Sequence, residues 1–164
     1  VKHLQDVPEI RHLIEEADFV THRSVAGHGG LRTFLSGMCT QSPRWMSVRA
    51  PKLHSGEKVS FETLRRSVEK KAGDEIALPG DRLLCFVTVA ASDVFWIGEQ
   101  SHRNLRVFFA VAVEDREDGP ELFHVANVVR FKNVLGLLQF FLLRPFHAWI
   151  SRKLMIAGSR AVCS

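Results

Sequence analysis

The chain of 164 residues contains no tyrosine; its aromatic content is 12 Phe and 3 Trp. An interior built from these residues is oily and poor in hydroxyl donors. Cysteine is scarce: Cys39, Cys85 and Cys163 lie far apart, an odd count with no CxxC pair. That spacing argues against a disulfide framework and a thiolate zinc site, and fits idle thiols in a reducing cytoplasm. HExxH, GxSxG, GKS and GKT are absent. The usual marks of zinc proteases, α/β-hydrolases and phosphate-binding loops are therefore missing. His22, His28, His54 and His124 show no helical pairing with acids, so no metal site is expected. The longest apolar run, Val134 to Leu143, is about half of the ~20 residues a membrane-spanning helix needs. Val1 to Glu16 is charged and lacks the apolar core of a secretory signal. No repeat, low-complexity segment or long linker divides residues 1–164, which read as one domain.

Hydrophobic residues make up 46% of the chain and charged residues 24%, which suits a globule with a real core. Net charge is +4. The basic residues that cluster, Lys58, Arg65, Arg66, Lys70 and Lys71, alternate with acids: Glu62 faces Arg66, and Arg65 faces Glu69, at i,i+4. This reads as a solvated helix face, and no nucleic-acid partner is expected.

The first half of the chain reads as helical with one strand. A short helix begins near Asp6 or Val7, with Pro8 in its first turn and Ile10, Leu13 and Ile14 on one side. Ala17 to Ala26 alternates as a strand. Gly27-His28-Gly29-Gly30 ends it, and Leu31 to Gln41 forms a helix with Leu31, Phe34, Leu35 and Met38 inward. Ser42-Pro43 opens a short helical segment through Val48, and Ser60 caps a helix running to Lys71. The glycine-rich loop could bring N–H groups to an anion; a flexible strand-to-helix turn is the simpler reading.

After the turn Leu78-Pro79-Gly80-Asp81 the pattern becomes β. Strands are expected over Leu83 to Ala90, Val94 to Gly98, Leu105 to Glu114 and Leu122 to Phe131, joined by polar corners as an antiparallel meander. Asn133 to Cys163 then reads as one long helix, bent near Pro145. Helices first and strands later give an α+β class, not a parallel βαβ fold. The expected architecture is a curved antiparallel sheet wrapped on the long C-terminal helix, with two or three short helices in the N-terminal half.

Small residues beside large Phe side chains leave uneven packing, so a cavity between sheet and helix competes with a filled core. Phe108, Ala110, Phe123, Val125, Phe140 and Trp149 are the expected walls. Asn127 and His147 are the polar groups expected there. His147 could act as a general base, since imidazole titrates near neutrality; it could equally bond a carbonyl freed at the proline bend. The run Leu137 to Leu143 is apolar around the whole helix, more than a sheet can bury. Neighbouring helices or a homodimer through this helix would cover it, with peripheral membrane contact a lesser alternative.

The stretch Val128-Val129-Arg130-Phe131-Lys132-Asn133-Val134-Leu135-Gly136, then Arg144-Pro145-Phe146-His147 and Ile150, resembles a bacterial family known as a domain of unknown function. That family has an Asn-x-Leu-Gly turn into its last helix, followed by Pro-Phe-His. Leu78 to Asp93 also matches its pattern, and Asp18 to Trp45 does so more loosely. The resemblance implies membership in the START, polyketide-cyclase and pollen-allergen-like (SRPBCC) superfamily. Its helix-grip fold encloses a cavity for a small apolar ligand. No cofactor is expected for this chain. Some members resemble a tail on short-chain reductase-like modules. No dinucleotide half is present here, so a reductase role requires another chain as partner. A cyclase- or hydratase-like enzyme using His147, with His124 or Asn127, is the alternative. Leu137, Leu138 and Gln139 depart from the basic and aromatic residues the family pattern carries after Gly136.

Overall fold

The computed structural model describes residues 4, 6–41, 79–117 and 119–163. The helices expected over Ser42 to Val48 and Ser60 to Lys71 lie outside these residues. Helix α1 spans Pro8–Glu15, with Pro8 starting it and Glu9 in its first turn. Neither needs a side-chain cap: proline has no N–H to satisfy, and an acid suits a helix N-terminus. Strand β1 is Phe19–Gly27 and helix α2 is Gly30–Gln41. Then come β2 (Arg82–Leu83), β3 (Phe86–Ala91), β4 (Phe95–Ser101), β5 (Leu105–Glu114) and β6 (Glu121–Phe131). Helix α3 runs from Val134 to Val162.

The strands form one open, curved antiparallel sheet in the order β1-β6-β5-β4-β3-β2. The meander is as expected, with β1 added beside β6 over nine paired positions from Phe19↔Val129 to Gly27↔Glu121. One expectation is corrected. Leu83 to Ala90 is not a single strand: the chain reverses at Leu84-Cys85, so Leu83 pairs with Phe86. Leu84 carries a positive φ of 58° there. No Gly, Asn or Asp marks this turn, so the usual signal was missing.

Both faces of the sheet are covered along β5. The odd face carries Phe109 and Val111 of β5 with Phe123 and Val125 of β6, packed on Phe34 and Met38 of α2 and Leu154 of α3. The even face carries Phe108, Ala110, Ala112, Ala126 and Val128 beneath Ile10, Leu13 and Ile14 of α1. The inward residues expected for α1 and α2 are thus the ones that pack.

The N-terminus of α3 is fixed by two local devices. Asn133 caps it, accepting from Gly136 N–H at 2.9 Å. Gly136 lies against the β4–β5 loop, where a Cβ would overlap the Asn104 carbonyl. Further along, a Cβ on Gly158 would enter the Phe34 ring and one on Gly37 would strike Ala161; the absence of side chains at these two positions lets α2 and α3 close. Pro145 sits inside α3, which stays a single helix of 29 residues. Proline there leaves the Phe141 carbonyl without its helical donor.

Candidate functional site

A cavity of about 620 Å³ lies between the odd face of the sheet and the middle of α3. Helical spacing builds one wall: Gln139, Leu143, His147, Ile150 and Leu154 recur every three or four residues along one side of α3. Strand alternation builds the other: Leu105, Val107 and Phe109 of β5 point to the same side, joined by Asn127 of β6 and Gln100 of β4. Phe86 and Cys85, at the corrected β2–β3 hairpin, close one end. Burial pushes the Cys85 thiol up to about 11, so it is an inert wall and not a nucleophile.

The polar lining is concentrated in Gln100, His102, Asn127, Gln139, His147 and Ser151. Among the described residues the lining contains no Asp, Glu, Lys or Arg. Ser151 Oγ donates, at 3.0 Å to Asn127 Oδ1 or at 2.9 Å to the His147 carbonyl. The first bond ties α3 to β6 across the cavity floor. Asn104 Nδ2 donates to Gln139 Oε1 at 3.3 Å, fixing that amide. The His147 ring lies against Phe140, with centroids 5.8 Å apart. Burial lowers the His147 pKa, and the neighbouring His102 lowers it further. Burial likewise lowers His102, helped by Lys132. Lys132 Nζ also donates to the His102 carbonyl at 2.6 Å and so anchors that loop. Both shifts favour the neutral imidazole, which can accept a proton or donate a hydrogen bond through its ring N–H.

Of the residues the sequence nominated, Asn127 and His147 line this cavity. The others do not, for four separate reasons. Phe108 and Ala110 lie on the even face, under α1. The register explains it: Val111 pairs with Val125 and Val113 with Phe123, so the even residues of β5 cannot share a face with Phe123. Phe123 and Val125 face α2 and are packed solid, Phe123 stacked on Phe34 at 4.9 Å. Phe140 is buried among Leu105, Val107, Val129, Phe19 and Phe131. Trp149 is exposed at the outer surface of α3, with Lys153 Nζ 5.9 Å from its ring centre. Gln100, His102, Gln139 and Ser151 were not anticipated. Ser151 stands four residues after His147 on the same helix face, a signal that was legible. His102 and Gln100 are placed only by how the β4–β5 hairpin folds.

His124, expected beside His147, belongs instead to a second cluster on the even face. Its Nε2 lies 2.8 Å from Glu114 Oε2, and its Nδ1 is 2.9 Å from Ser24 Oγ and 3.3 Å from His22 Nε2. The two rings are nearly parallel, 19° apart with centroids 5.5 Å apart. Among the described residues no group of three or more His, Cys, Asp or Glu is placed to hold a metal. The glycine-rich loop is also occupied from within: Gly30 N–H is taken by the Glu121 carboxylate at 2.8 Å.

These features define a class: a small α+β domain whose terminal helix covers a curved antiparallel sheet and leaves a mainly apolar cavity with a few polar side chains between them. The family model described as "Protein of unknown function (DUF2867)" matches residues 3–154, and the chain belongs to that family. No curated protein and no solved structure matches it.

Proposed function

We propose that the cavity binds one small molecule with an apolar body and a neutral oxygen-bearing end, such as a carbonyl or hydroxyl. The observation that carries this reading is the split lining. Leu105, Val107, Phe109, Leu143, Ile150 and Leu154 offer apolar surface, while the amides, Ser151 and two imidazoles converge nearby. Its volume falls within the roughly 300–1,000 Å³ of small-molecule sites. Among the described residues the lining has no Asp, Glu, Lys or Arg, which disfavours a strongly ionic ligand, since it would be desolvated without a partner. The sheet and terminal helix are compatible with the START and polyketide-cyclase-like helix-grip superfamily, which supports this reading.

The test is displacement of a fluorescent apolar probe, N-phenyl-1-naphthylamine, with Ile150→Trp filling the cavity. Saturable binding to the native chain, lost in a folded Ile150→Trp variant, is expected. Equal binding to both proteins overturns the site.

A second reading is supported by His147 and His102, both held neutral in a partly buried site beside Asn127 and Ser151. These are the elements of general acid–base chemistry on an enolisable carbonyl, as in cyclases and hydratases. In that case His147 moves the proton and Asn127 holds the carbonyl oxygen. His147→Ala then lowers turnover by about 10²-fold or more while leaving the melting temperature nearly unchanged. A large loss of stability instead identifies His147 as structural. A third reading, an accessory subunit of a reductase-like partner chain, is tested by pull-down from the host.

A further inference from the structure

The outward face of the first half of α3 is apolar without interruption. Val134, Leu135, Leu138, Phe141 and Leu142 are 71, 64, 61, 56 and 80% exposed. Leu137 and Leu143 flank them, each 37% exposed. Together they form a contiguous apolar stripe rather than the scattered single apolar residues of an ordinary surface. By length and composition α3 could cross a bilayer, with mean hydropathy 1.3 over its best window. It is nevertheless held flat on the domain, with Gly136, Phe140, Leu154, Ala157, Gly158 and Val162 buried.

Charge decides what this face fits. Helix α3 contains Arg144, Arg152, Lys153 and Arg160 and no Asp or Glu. Lys132 and Arg103 are exposed beside its N-terminal end. Arg144 sits over the Phe19 ring at 5.2 Å, at the side of the apolar stripe. A second copy laid on this stripe brings the same bases and no acid of α3 to the seam, so self-docking gains no charge complementarity from the helix.

We propose that this face docks on an anionic lipid surface, with the leucines and Phe141 entering the headgroup boundary and the surrounding bases meeting lipid phosphates and carboxylates. An apolar helix face rimmed by Lys and Arg, lying in the interface plane, is the geometry of such binding. Each base near the surface contributes about 1 kcal/mol, which corresponds to roughly fivefold in partitioning.

The test is flotation of the full chain with phosphatidylcholine vesicles, with and without phosphatidylserine, alongside light scattering in solution. Co-flotation with the anionic vesicles alone is expected, weakening with salt. Arg144→Gln should lower partitioning about fivefold. Leu138→Glu with Leu142→Glu should abolish it at an unchanged melting temperature, since both side chains are exposed. Three results overturn the proposal: no vesicle binding, vesicle binding insensitive to Leu138→Glu with Leu142→Glu, or a dimer that these substitutions split in a protein that ignores vesicles.

Discussion

His22, His102 and His147 share one property: burial leads each of them to favour the neutral imidazole. His124 adds to this at His22, Lys132 at His102, and His102 at His147. A lowered histidine pKa in the folded chain means that the unfolded chain takes up protons first as pH falls. Stability from these groups is therefore intact above their ordinary value of 6.5 and is lost as pH drops from there toward the lower folded values. Denaturation midpoints measured from pH 7.5 down to 5 should fall, and the fall should be shallower in His102→Gln with His147→Gln. A midpoint that rises over this window contradicts the assignment. The same residues show where sequence reading stops. His147 was legible because helix spacing sets it beside Ile150 and Ser151. His124 was misplaced because a strand residue changes faces with a shift of one position, and only the β1–β6 and β5–β6 pairings fix its parity.

Among the elements, α3 was the most legible. Its apolar run, the Asn133 cap and the Gly136 contact all mark the same starting point, and the structure begins the helix at Val134. The cap can be tested directly. Asn133→Ala removes the acceptor of Gly136 N–H and should cost about 1 kcal/mol, read as a lower denaturation midpoint. Asn133→Asp should retain most of the stability, because a carboxylate accepts the same bond and suits the helix dipole. No change in Asn133→Ala would mean that the Asn104–Gly136 contact alone sets the helix start. The β2–β3 hairpin was the least legible element. Leu84 and Cys85 carry none of the usual turn chemistry, and their reversal depends on tertiary packing in the core cluster around Phe86 and Trp96. That hairpin supplies one end of the cavity, so the site's boundary was hidden along with it.

At the scale of the molecule, α1 covers the even face of the sheet and α2 with α3 covers the odd face, where the hollow lies. The far half of α3 is drawn onto α2 through Gly37 and Gly158, where packing is tight. The near half is pinned at Asn104 and Asn133. Between these clamps the helix spans Val107, Phe109 and Asn127 and is not packed solidly onto them, which leaves the cavity. The α+β class and the position of the terminal helix followed from periodicity alone. The cavity's walls did not, since they depend on strand register and on where two helices are held apart. Native mass spectrometry of the chain purified from its own host tests the cavity reading most directly. A single non-covalent adduct of small-molecule mass, absent from the Ile150→Trp variant, is expected. Bare chain in every preparation, with unchanged spectra after incubation with apolar carbonyl compounds, would contradict it.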